Sequence, residues 1–160
     1  MSRPSPTPLL LACLLAAAAA TPVQAEEPGS WRLVERARRA ADQGGHTLAL
    51  EIYLEAIGRL GDFSQAERRA LLGETYATCV HLIEQESIAP AVRGLIALLG
   101  PTRGDALVGD RVRVTLERTA MNLVLSGRSH HAVPALEALM AEGRAPALRW
   151  ALLVRAYVDT

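Results

Sequence analysis

Few residues in this chain have the types and spacing to do chemistry, and histidines come first: His46, His81, His130 and His131 are the candidates for metal binding or proton transfer. His130 and His131 are adjacent, so on a helix they point about 100 degrees apart and cannot chelate one ion as an i,i+4 pair would. They read as a polar turn before a helix. His81 shares a helix face with Glu84 and Gln85 but lacks a third ligand, and that face reads as solvated. Glu51 and Glu55 also share a face, again as solvated charges. No glycine-rich phosphate loop, nucleophile elbow or Cys-Cys metal pair is present. Cys79 falls on the apolar side of a helical pattern, where a free cysteine behaves as a small hydrophobe. The expectation is a protein that is not an enzyme, with no catalytic residue, no metal and no cofactor.

The elements that would position any site are drawn from a chain that is half apolar by type and only 4% aromatic, so its core must be Leu, Ala and Val. All 17 basic residues are Arg, balanced by 17 acids, and the zero net charge argues against nucleic acid or anionic lipid as a partner. Residues 1–25 read as a signal peptide: Arg3 is the positive end, residues 9–20 an unbroken apolar run, and Val23-Gln24-Ala25 a cleavage site. That run is too short to span a bilayer, which takes about 20 residues. A lipoprotein anchored at Cys13 is the competing reading. It is disfavoured because the apolar run continues to Ala20. Residues 26–160 are then the exported, periplasmic or secreted, domain, with Cys79 its single cysteine and no internal disulfide.

Every stretch of that domain carries helical period. Ser30 is placed to cap a helix over residues 31–43, with Leu33, Val34, Ala37, Ala40 and Ala41 on one face. Residues 44–60 follow, with Ala49, Ile52, Tyr53, Ala56, Ile57 and Leu60 in one stripe. Ser64 and Glu67 form a capping-box pattern opening a helix whose buried side is read as Leu72, Gly73, Tyr76, Cys79, Val80 and Ile83. Ser87 and Pro90 open a nearly all-apolar helix closed by Gly100-Pro101. Another begins at Asp105 or Asp110 and points Val112, Leu116, Thr119, Ala120, Leu123 and Val124 inward. The next carries Ala132, Val133, Leu136, Leu139 and Met140, and requires a late start to accommodate Pro134. Pro146 opens the last, with Trp150, Leu153, Val154 and Tyr157 on its apolar side.

Three of these helices share a skeleton: Ala49-x3-Tyr53-x2-Ala56, Ala91-x3-Leu95-x2-Leu98 and Ala132-x3-Leu136-x2-Leu139, spaced 91−49=42 and 132−91=41 residues apart. A small residue permits close helix approach and larger ones fill the gap to the next hairpin. Together with Leu72-Gly73-x2-Tyr76, Trp150-x2-Leu153-x3-Tyr157 and the glycines Gly44 and Gly127 ahead of Ala49 and Ala132, the pattern resembles the tetratricopeptide-repeat family in divergent form. The resemblance implies an all-α fold: antiparallel helical hairpins stacked as a right-handed solenoid of about seven helices. It also implies a concave face built from the first helix of each hairpin, with Arg38, Glu74, Met121 and Arg155 as inward positions and Glu117 and Leu125 nearby. Val114, Met121 and Leu125 would make part of that groove apolar, suited to a partner helix or peptide. The Lys and Asn clamp of some family members is missing, since there is no Lys and Asn122 is the single Asn. The expected function is an interaction scaffold or adaptor holding a peptide or helix of an envelope protein; the alternative is a non-catalytic accessory subunit of an envelope enzyme or secretion complex. The terminal helix either caps the core or mediates an oligomer.

Overall fold

The computed structural model describes residues 29–143 and 147–159, so the expected signal peptide, Cys13 and Pro146 lie outside the described residues. Seven α-helices follow one another: α1 Gly29–Asp42, α2 His46–Ile57, α3 Gln65–Glu84, α4 Ile88–Leu99, α5 Ala106–Leu125, α6 Ser129–Ala141 and α7 Ala147–Val158, with a short 3-10 turn at Leu60–Asp62. The described residues contain no strand. No helix among them is long and apolar enough to cross a membrane.

Local chemistry explains the boundaries. Ser64 accepts from the Glu67 amide while the Glu67 carboxylate accepts from the Ser64 amide, so the capping box closes as expected at the start of α3. Asp105, not Asp110, caps α5, accepting from the Val108 amide at 3.3 Å. Ser30, expected as a cap, instead lies buried inside α1, and Ser87 makes no side-chain cap bond. Pro134 sits inside α6, which starts at Ser129 rather than late; the proline and the His130 whose carbonyl it leaves unbonded are both solvent-exposed, so water can satisfy that carbonyl.

The three turns within hairpins, α1 to α2, α3 to α4 and α5 to α6, each contain one residue in the left-handed region: Gly44 (φ 79°), Glu86 (φ 58°) and Gly127 (φ 73°). They are spaced 86−44=42 and 127−86=41 residues apart, the same intervals as the Ala-centred skeleton. Glycine fills this conformation without a Cβ clash; Glu86 adopts it at a cost.

Each helix packs against the next and, from α2 onward, against the next but one, giving a layer of α3, α5 and α7 beside a layer of α2, α4 and α6. The even-numbered helices bury their whole repeated skeleton: Ala49, Tyr53, Ala56, Ala91, Leu95, Leu98, Ala132, Leu136 and Leu139 are all core residues. Two clusters result. One joins α1, α2 and the start of α3 around Val34, Ala37, Tyr53 and Leu71; the other runs from Leu50 of α2 through α3 to α7 around Leu82, Leu95, Leu116 and Leu136. Each fully buried aliphatic side chain contributes roughly 1.5–3 kcal/mol against exposure.

Two expected faces are rotated. In α3 the buried side is Leu71, Leu72, Thr75, Thr78, Cys79 and Leu82, while Gly73, Tyr76, Val80 and Ile83 are only half-buried. The threonines can go inside because their hydroxyls donate to the carbonyls of Leu71 and Glu74 at 2.8 and 2.9 Å. In α7 the core-facing residues are Leu153 and Ala156, while Trp150, Val154 and Tyr157 are exposed, because no helix among the described residues covers them.

Candidate functional site

The odd-numbered helices are tied side by side by one polar link at each junction. Between α1 and α3, Arg38 donates through Nε and Nη2 to the two Glu74 oxygens at 2.9 and 2.6 Å, and through Nη1 to Glu35 at 2.7 Å. The Tyr53 hydroxyl of α2 donates to the same Glu74 carboxylate at 3.0 Å, and the Arg38 guanidinium lies 5.1 Å from the Trp31 ring centre. Between α3 and α5 the hydroxyls of Tyr76 and Thr115 meet at 2.9 Å. Between α5 and α7, Arg149 donates through Nε and Nη2 to both Glu117 oxygens at 3.1 and 2.8 Å.

These pairings shift the titrations. Burial pushes the Glu74 carboxyl up, but the hydrogen bonds from Arg38 and Tyr53 and the Arg38 charge outweigh it, so Glu74 ionises below the ordinary carboxylate range. Burial and the adjoining Glu74 raise Tyr53, which stays a protonated donor. The Arg149 hydrogen bonds likewise hold Glu117 low against a smaller burial penalty.

The links also orient α5. Thr115 points to α3 and Glu117 to α7, so at 100 degrees per residue Leu107, Val114, Met121 and Leu125 form the face opposite the buried Val112, Leu116 and Leu123. All four are exposed, Leu125 at 63% and Leu107 at 67%. Arg111 and Arg118 lie on the same face and make no hydrogen bond or ion pair among the described residues. On α3 the corresponding outward face is Ala66, Ala70, Gly73 and Ala77, and a Cβ added to Gly73 would meet nothing within 4 Å.

The six residues expected to bind a partner therefore divide. Arg38 and Glu74 are bonded to each other, and Glu117 to Arg149. Met121 and Leu125 are exposed on one face of α5, and Arg155 is exposed on α7, 3.6 Å from Asp159 of its own helix. Tyr53 and Arg149 belong to the polar links and were not singled out from the sequence, where their partners stand 21 and 32 residues away with no local pattern to connect them.

Other reactive types are occupied structurally. Burial pushes the Cys79 thiol up to about 12, and Gly94 of α4 rests on it so closely that an added Cβ would come 2.5 Å from its sulfur. The His46 and His81 rings, from α2 and α3, meet edge to face with centres 4.0 Å apart, a pairing that only the tertiary structure reveals. Gln85 bonds His81 at 2.9 Å and Glu84 lies 3.7 Å away. Among the described residues no group of three or more His, Cys, Asp or Glu side chains is placed to hold a metal. A surface cavity of about 320 Å³ is lined by Arg103, Arg113, Glu142 and Arg149, and all three arginines already bond carboxylates. No family model, curated protein or solved structure matches the chain.

Proposed function

We propose that the protein is an exported, divergent tetratricopeptide-like solenoid acting as an interaction scaffold, which takes a helix or extended peptide of an envelope partner on the face of its odd-numbered helices. The reading rests on one observation: Leu107, Val114, Met121 and Leu125 stand exposed on α5 between the unpaired Arg111 and Arg118, beside the open, small-residue face of α3. Apolar anchors at helical spacing with cations between them suit an amphipathic segment carrying acids, and small neighbours leave room for its backbone. Neighbour-only packing with intervals of 41 and 42 residues supports the solenoid reading. Binding is favoured over catalysis because the thiol is buried and protonated and the most strongly paired carboxylates hold helices together.

On this reading Met121 and Leu125 carry the contact, while Arg38, Glu74 and Glu117 hold the face in shape. The test is crosslinked affinity capture from native envelopes with wild type and the double variant Met121→Glu, Leu125→Glu. The expected result is a dominant partner that is lost, at least tenfold, with the variant while its helical circular dichroism is unchanged. Equal recovery with both proteins would sink the proposal. A partner recovered in fixed ratio within one complex would recast the scaffold as that complex's accessory subunit.

A further inference from the structure

The polar links put the odd-numbered helices in common register, and that register isolates one anomaly. The residue just before each onward link, Ala37, Thr75 and Leu116, is fully buried. In α3 and α5 the residues four and seven positions on, Cys79 with Leu82 and Ala120 with Leu123, are at most 1% exposed. The backward links mark the same position, because Glu74 and Thr115 precede Thr75 and Leu116 by one residue. In α7 the backward link is Arg149, so the equivalent residues are Trp150, Val154 and Tyr157. These are 55, 59 and 55% exposed. The face that α4 and α6 cover in the two preceding hairpins stands open in α7, and it is the most aromatic of the three.

We propose that this stripe is a homodimer surface on which α7 of a second copy lies antiparallel, related by a two-fold axis near Val154. The stripe is nearly palindromic: an aromatic lies four residues before Val154 and another three residues after it. A two-fold operation thus sets Trp150 against Tyr157 and Val158 of the other copy twice over, the self-complementarity that an isologous interface requires. Antiparallel helices also set their dipoles in opposition. The edges carry no unpaired demand, since the Tyr157 hydroxyl donates to Glu137 of α6 and Arg155 lies beside Asp159. A further even-type helix is the poorer occupant. Such a helix fits α3 by bringing Gly94 down onto Cys79, and Trp150 and Tyr157 are too bulky for that approach. Covering the exposed halves of two aromatics and two valines removes roughly 300–400 Å² per copy, below the ~800 Å² of a standard interface, so the dimer is weak, with Kd of roughly 1–100 μM.

Sedimentation equilibrium of the full-length protein, in a Cys13→Ser background, tests this from low to several hundred micromolar. The expected result is a mass rising from monomer to dimer, and a monomer throughout for Val154→Arg with unchanged helicity. Independently, Val154→Cys should crosslink to itself under mild oxidation, as a residue beside a two-fold axis must, while Leu107→Cys on α5 should not. A wild type that stays monomeric overturns the proposal and leaves the stripe to a helix of another protein. A dimer that survives Val154→Arg, or that fails to crosslink through Val154→Cys, overturns it equally by placing the interface elsewhere.

Discussion

Cys79 in α3 and Val154 in α7 hold the same place in the helix register, four residues beyond the position beside the polar link, yet one is sealed and the other open. Cys79 is roofed by Gly94 and by Leu50, whose methyl carbons lie 3.0 and 3.1 Å from where a Gly94 Cβ would stand. Val154 has no such roof among the described residues. The side chains give no warning of the difference: Trp150, Val154 and Tyr157 are, if anything, more suited to a core than Thr75 and Cys79. Burial at this register is decided by whether another helix arrives, a property of the neighbour and not of the residue.

The comparison can be broken most forcefully at its two large side chains. Leu116→Ala should cost about 2–5 kcal/mol, the loss for a buried leucine that leaves a cavity. The equivalent Trp150→Ala should change the unfolding free energy of dilute protein by less than about 0.5 kcal/mol, as for an exposed site. Urea melts of both variants measure this, and a large cost at Trp150 would mean that α7 is covered even in the monomer.

A pair of glycines sharpens the same contrast. Each lies inside a helix, where replacement by alanine ordinarily gains up to about 1 kcal/mol. Gly73→Ala should realise that gain, because nothing lies within 4 Å of its new Cβ. Gly94→Ala should instead lose about 1–3 kcal/mol, since Cys79 and Leu50 must give way in a packed interior. Thermal melts of the two variants should move in opposite directions.

Next in size is the first polar link. Glu74→Gln should cost about 1–2 kcal/mol near neutral pH, by removing the acceptor of both the Arg38 charge and the buried Tyr53 hydroxyl. Because the Glu74 carboxyl ionises below its unfolded value, its contribution is complete above the ordinary carboxylate pKa and disappears as pH falls through the lower folded value. Stability of wild type and variant should therefore converge in acid and separate above about pH 5. A gap independent of pH would assign the effect to packing alone.

The smallest expected change is at the one hairpin turn without glycine. Glu86→Gly should stabilise by about 0.5–1 kcal/mol, relieving a side chain at φ 58° where the other two hairpin turns use Gly44 and Gly127. Chemical denaturation resolves a shift of that size, and a loss of stability would show that the Glu86 side chain is needed at the turn.

Much of this architecture was legible in the residues. The Ala-centred skeleton of α2, α4 and α6 is buried throughout, and the Ser64 and Glu67 cap is formed, because spacing along a helix fixes which residues share a face and which side chain reaches an amide. The α3 face was misread because Thr75 and Thr78 look polar in a sequence, while their hydroxyls bond their own helix. The candidate face was legible only in part. Met121 and Leu125 can be picked out by period, whereas the bond that ties Arg38 to Glu74 spans 36 residues and leaves no local trace.

By itself, then, the sequence determined the helices, their turns and the periodic stripe that each helix offers for burial, all of which follow from local geometry and side-chain type. Only the tertiary structure decided which stripes were taken up. Packing joins Arg38 to Glu74, Glu117 to Arg149 and His46 to His81, and leaves Met121, Leu125 and Trp150 facing outward. The physical reason is that an apolar face lowers the free energy only when another surface removes it from water, and which surface does so depends on how the helices stack.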